Sequence, residues 1–142
     1  MRKIFIDLNV VLDVLLARSP FLGTSQRLLD LVAKNKIKGY LSVASVLNLY
    51  YLVQKQLNAP SAREHVKKMI QLVSIVEIDT DILQSALYIP LADFEDSVQA
   101  ACAQRCAAEY IITRNLKDFK DSPIQCLSPE KYLESYEDSA QR

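Results

Sequence analysis

Two short runs of unbroken apolar residues constrain this chain more than anything else in it. Ile4-Phe5-Ile6 and Tyr110-Ile111-Ile112 show no alternation of polar and apolar side chains. A strand with one wet face alternates with period two. A strand covered on both faces does not, and that is the pattern of a parallel sheet held between helices. Both runs stop abruptly: the first at Asp7, followed by Leu8-Asn9, the second at Thr113-Arg114-Asn115.

Strands are expected at Ile4–Asp7, Gly39–Val43, Ser74–Asp79 and Tyr110–Arg114, with a weaker fifth at Ile124–Leu127. Helical patterns fill the gaps. Val46, Leu49, Tyr50, Val53 and Leu57 follow the spacing of one helix face. A second helix restarts at Pro60-Ser61, where Ser61 and Glu64 form a candidate capping box, with Val66, Met69, Ile70 and Val73 as its buried stripe. Asp79 and Thr80 are cap candidates for a short helix to about Tyr88, stopped by Pro90, and Asp93 caps a helix from Phe94 to about Ala108. Strands alternating with helices imply βαβ units and right-handed crossovers. The fold class expected is therefore α/β: a single domain, residues 1–137, with a parallel sheet of about five strands and helices on both faces. Residues 138–142 are expected to form a disordered polar tail.

The 142 residues suit one domain, and half of them are hydrophobic, enough to bury a core. Lys+Arg and Asp+Glu both number 17, so the formal net charge is zero. That argues against a protein that coats nucleic acid by bulk charge, while leaving room for a local basic patch drawn from Arg18, Lys34, Lys36, Lys38, Arg114 and Lys117. Three cysteines without framework spacing suggest a reducing compartment, and Cys102 and Cys106 read as small core residues. The apolar runs are too short to span a membrane, and the N-terminus is a poor signal peptide, so a cytoplasmic location without membrane contact is expected. A single histidine, and no glycine-rich phosphate loop, leave nucleophilic triads and nucleotide folds unsupported.

In open parallel sheets ligands bind beyond the carboxyl ends of the strands. Asp7 would then be a carboxylate at the mouth of an apolar sheet, which needs a cation, donors or water. Asp93-Phe94-Glu95-Asp96 opens a helix, where acids favour the dipole, and that alone accounts for Glu95. Three acids in four residues repel one another unless a cation is near. Asp13 is expected to be a solvated or capping acid, and Asp118 is equally a ligand or a turn residue.

Ile4-Phe5-Ile6-Asp7-Leu8-Asn9-Val10, Asp93-Phe94-Glu95-Asp96 and Ile111-Ile112-Thr113-Arg114-Asn115-Leu116-Lys117-Asp118-Phe119, in this order, resemble the PIN-domain family. The resemblance spans nearly the whole chain. It implies a five-stranded parallel sheet, an acidic cluster holding Mg²⁺ or Mn²⁺, and hydrolysis of RNA phosphodiesters. It also implies a toxin role, with RNA as substrate, a cognate antitoxin as partner and a homodimer as a further association.

Carried over by position, Asp7 matches the first family acid and Asp96 the third. The second falls at Asn48, six residues after Ser42, and the fourth at Asn115, two residues after Thr113. Two of four carboxylates are therefore amides here. The catalytic set implied is Asp7, Asp96, Asn48 and Asn115. The metal set is Asp7 and Asp96, with Asp93 and Asp118 placed to join it, and Asn9, Thr113, Arg114 and Lys117 would bind substrate. Mg²⁺ takes oxygen ligands at about 2.0–2.1 Å and keeps several waters, so one or two carboxylates suffice for one ion. Two ions about 3.5–4 Å apart need more negative charge than this set supplies. The first expectation is a ribonuclease with one weak metal site. The rival is a non-catalytic PIN-like module that binds RNA or protein through a partly eroded site. A phosphotransfer domain using Asp7 is weaker, because too little chain precedes Asp7 to supply the paired acids it needs.

Overall fold

The computed structural model describes residues 1–140. It contains one parallel sheet of five strands, β1 (Lys3–Ile6), β2 (Lys38–Ser42), β3 (Ser74–Val76), β4 (Tyr110–Ile112) and β5 (Cys126–Leu127). Their spatial order is β3-β2-β1-β4-β5. The chain steps outward from β1 through β2 to β3, then crosses back to add β4 on the other side of β1. The register pairs Phe5 with Tyr40 on one side and with Ile111 on the other. The expected α/β class and five parallel strands are present; β1 and β2 each start and end one residue earlier than expected, β3 and β4 stop short of their polar ends, and β5 starts two residues late.

The unbroken apolar runs divide between two cores. Ile4, Ile6, Leu41 and Ile112 face one of them, Phe5, Tyr40, Val76 and Ile111 the other. Helices α1 (Leu8–Leu15), α2 (Leu22–Ala33), α3 (Val43–Gln56), α4 (Ala59–Leu72) and α7 (Pro129–Ala140) cover the first face. Helices α5 (Thr80–Ala86) and α6 (Phe94–Arg105) cover the second. On α6 the residues Val98, Ala100, Ala101, Cys102 and Ala103 are all buried, so its small side chains bring it close to the sheet. Gly39 does the same for α2: a Cβ there would lie 3.1 Å from Ile6 Cδ1 and 3.2 Å from Val32 Cγ2.

Several local expectations are corrected. Helix α4 is capped by Asn58, whose side chain accepts from the Ser61 N–H at 2.8 Å, so the Ser61 box does not form. Pro60 then falls in the first turn, where its missing N–H costs nothing. Ile70 is 53% exposed, because Ala62, Met69 and Val73 point to the core and Ile70 lies one residue further round. Helices α5 and α6 end at Ala86 and Arg105, short of the expected limits, although their caps Asp79 and Asp93 are as expected. Residues 138–140 belong to α7, and the remainder of the expected tail, 141–142, lies outside the described residues.

Helices α1 and α2 had no counterpart in the sequence expectations. Helix α1 buries Val10, Val11 and Leu12 and has Asn9 and Asp13 as its two polar side chains, so its eight residues are too short a run for the stripe to stand out. With two glycines in the chain, three helices end on non-glycine residues in the left-handed region: Ala17, Asn35 and Ala107. Each closes the two carbonyl bonds of a Schellman cap. At α1 these are Arg18 N–H to Asp13 O at 2.9 Å and Ala17 N–H to Val14 O at 3.2 Å.

Candidate metal and nucleic-acid site

The strand order reverses between β1 and β4, and it is at the carboxyl ends of such a pair that open parallel sheets take ligands in a crevice. Asp7 is the first residue past β1. Its N–H still donates to Ile112 O at 2.9 Å, so the sheet ladder holds its backbone while α1 starts at the next residue. The fully buried Thr113 donates its hydroxyl to Asp7 Oδ2 at 2.8 Å and accepts the Asn115 N–H at 3.0 Å. Burial raises the Asp7 carboxyl above its usual range. The Thr113 hydroxyl, the Leu8 and Asn9 amides and the Arg114 charge act against that rise.

Asp96 reaches the same crevice from the first turn of α6. Its carboxyl is pushed up to about 6, first by burial and then by the charges of Asp93, Asp7, Asp118 and Glu95. Each of the other three sequence-nominated metal ligands, Asp7, Asp93 and Asp118, is therefore close enough for its charge to act on Asp96. Asp93 has a second task, since its Oδ1 accepts the Asp96 N–H at 3.1 Å and caps α6. Asp118 and Lys117 lie exposed on a single 3-10 turn, Leu116–Phe119, which Asn115 opens. Asn9 is half-buried in the first turn of α1. None of the ion pairs among the described residues includes Asp7, Asp93, Glu95, Asp96 or Asp118.

Asn48 sits on α3, across the crevice from α6, and donates from Nδ2 to Glu95 Oε1 at 2.9 Å. Sequence reasoning had given Glu95 no role beyond the helix dipole. One turn deeper, Gln99 Nε2 donates to Ser45 Oγ at 3.4 Å, and Gln99 Oε1 is buried without a donor. An amide among the small apolar residues of α6 was the sequence signal for this second contact. A partner 47 residues away left none for Glu95.

Asp13 corrects an expectation. It is completely buried, not solvated. Arg114 grips it with two hydrogen bonds, Nε to Oδ2 at 2.8 Å and an η-nitrogen to Oδ1 at 3.0 Å. Ser25 Oγ adds a long bond at 3.4 Å, and Arg18 stands 3.9 Å away. The Arg114 guanidinium also lies 3.8 Å over the Phe21 ring. Arg114, nominated for substrate, is thus tied by its fork to Asp13 of α1 and lies over Phe21, the cap residue of α2.

The donor set suits one hard divalent cation. Two carboxylates destabilised as anions, Asp7 by burial and Asp96 by burial and neighbouring acids, with amide oxygens nearby and no ion pair to either among the described residues, match the oxygen chemistry of Mg²⁺ or Mn²⁺. Among the described residues no three His, Cys, Asp or Glu side chains gather as a ready-made metal cage. The fit is to an ion held by a carboxylate pair and completed by water or phosphate.

A family model described as PIN domain matches residues 3–117. Ribonuclease VapC1 of Aquifex aeolicus (strain VF5) is 22% identical over 139 residues, covering 94% of this chain and 95% of that protein. Among solved structures, VapBC2 from Rickettsia felis, bound to a DNA fragment from its promoter, aligns with a TM-score of 0.71 at 16% identity, over 89% of this chain and 98% of that one. DNA-bound VapBC from Salmonella typhimurium aligns at 0.71 and 18%, over 91% and 99%. The sarcin-ricin-loop-cleaving toxin VapC20 of Mycobacterium tuberculosis aligns at 0.67 and 15%, over 85% and 95%. With the sheet order, the carboxyl-end acids and a family match spanning residues 3–117, this chain belongs to the PIN-domain family.

Proposed function

We propose that this chain is a ribonuclease dependent on Mg²⁺ or Mn²⁺, and the toxin of a toxin–antitoxin pair. The observation that carries the reading is that Asp7 and Asp96 are near enough for the charge of one to raise the other, with both raised by burial and neither in an ion pair among the described residues. When bound, the cation supplies a Lewis acid for a phosphodiester and lowers the pKa of a water. Asp7, held by Thr113 from one side and the sheet ladder from the other, is the fixed ligand. Asp96 faces it from α6. Asn48 and Asn115 supply neutral oxygens, and Asn9 and Lys117 line the approach for the RNA backbone, while the buried Thr113 acts through Asp7. The ribonuclease name of the Aquifex relative supports the reaction class, and a toxin–antitoxin complex from Klebsiella pneumoniae among the structural neighbours (TM-score 0.66, 21% identity) supports an antitoxin as partner.

The amides at 48 and 115 favour a second reading, in which the chain binds RNA or protein without cleaving it. A cleavage assay on pooled RNA with Mg²⁺, with Mn²⁺ and with chelator separates the two. Asp7→Asn and Asp96→Asn should each lower metal-dependent cleavage by about 10²–10³-fold while remaining folded. Cleavage that survives chelation and both substitutions would overturn the assignment.

A further inference from the structure

Helices α3 and α6 are joined across the crevice by two polar rungs. The deeper rung is Gln99 to Ser45, with Ser42 Oγ donating to Ser45 Oγ at 3.3 Å behind it. The outer rung is Asn48 Nδ2 to Glu95 Oε1 at 2.9 Å. Ser45 and Asn48 are three residues apart on α3, and Glu95 and Gln99 four apart on α6, so each pair shares one helix face. Glu95 is therefore tied into the α3–α6 seam and is not a loose first-turn acid.

We infer that Glu95 supplies the negative charge that residue 48 does not carry, and that Asn48 and Glu95 together do the work of one ligating glutamate. The inference rests on the cation-site reading above. The amide of Asn48 is planar, with its NH₂ committed to Glu95, so Oδ1 lies on the branch turned away from Glu95. Asn48 offers an oxygen and no charge, while Glu95, hydrogen-bonded to that same amide, brings charge from the facing helix. A second observation concerns Gln99. It is only 6% exposed and its Oε1 has no donor, one turn from both Glu95 and Asp96. A buried acceptor left unmatched is costly, and water bound to a cation is a donor that would match it.

The test is Mn²⁺ titration by calorimetry on chelator-stripped protein: wild type, Asp7→Asn, Glu95→Gln, and Glu95→Gln combined with Asn48→Glu. Glutamine at 95 can still accept the Asn48 hydrogen bond, so it removes the charge and keeps the seam. Glu95→Gln should weaken Mn²⁺ binding by about 10–100-fold, the range for groups that support metal ligands. Adding Asn48→Glu should restore it, with thermal melts showing all four proteins folded. Equal Mn²⁺ affinity in wild type and Glu95→Gln, with Asp7→Asn weakened, would overturn this inference and leave the cation site standing. Failure of Asn48→Glu to restore binding would overturn the shared role of the two residues. Absence of Mn²⁺ binding in wild type would overturn both readings.

Discussion

Asp13 and Asp96 are acids of the same rim, and the fold treats them in opposite ways. Asp13 is sealed from water and gripped by the fork of Arg114, with Arg18 and Ser25 behind it. Asp96 is half-exposed, ringed by four other acids, and receives no basic partner. Compensated charge fastens α1 and the turn after β4 together. Uncompensated charge stays available to a group from outside the chain. The lesson is to ask of each buried acid whether the chain itself has already answered it.

The largest effect should come from breaking the compensated pair. Asp13→Ala leaves Arg114 with an unmatched charge in a part-buried setting and should cost about 3–5 kcal/mol in urea unfolding. Asp96→Asn should leave the metal-free protein at least as stable as wild type. Comparable losses in both variants would erase the distinction. Arg114→Lys is milder. It keeps the charge but gives up the two-pronged grip and the plane over Phe21, for about 1–2 kcal/mol.

A pH series sharpens the other side. Asp96 binds its proton more tightly in the folded chain, about 6 against an ordinary 3.8. Its contribution is therefore complete below the ordinary value and is lost as pH rises through about 6. In chelator, melting temperature should fall over that window more steeply for wild type than for Asp96→Asn, and saturating Mn²⁺ should flatten the difference. A wild-type profile parallel to that of Asp96→Asn would argue against an uncompensated charge. The smallest effect concerns the end of α1, where Arg18 N–H closes on Asp13 O. Ala17→Gly relieves a left-handed alanine there and should add about 0.5–1 kcal/mol, read by urea unfolding, without moving Mn²⁺ affinity.

What the sequence revealed about this site was what is local. Ile4-Phe5-Ile6-Asp7 announces a two-sided strand and its polar end, and Asp93 announces a helix start, because pattern and partner lie within a few residues. Asp13 was misread because its partner is 101 residues away and nothing in its neighbourhood records that. Glu95 was passed over for the same reason, and because helix-dipole acidity already explained it. Helix α1 escaped notice for a different one: eight residues with two polar positions make a stripe too short to read within an apolar run.

The pairing of Asp7 with Thr113, across 106 residues, also sets an order of events during synthesis. Until β4 exists, β1 is the edge of a half-sheet made with β2 and β3, and the Asp7 N–H has no Ile112 carbonyl to meet. Asp96 by then is present on a helix with no finished sheet beneath it. Closing β4 against β1 completes the sheet centre and creates the crevice in one act. A chain ending before Thr113 carries both acids but lacks the Ile112 carbonyl and the Thr113 hydroxyl that hold Asp7, so the proposed site is not complete until β4 and the residue after it are in place.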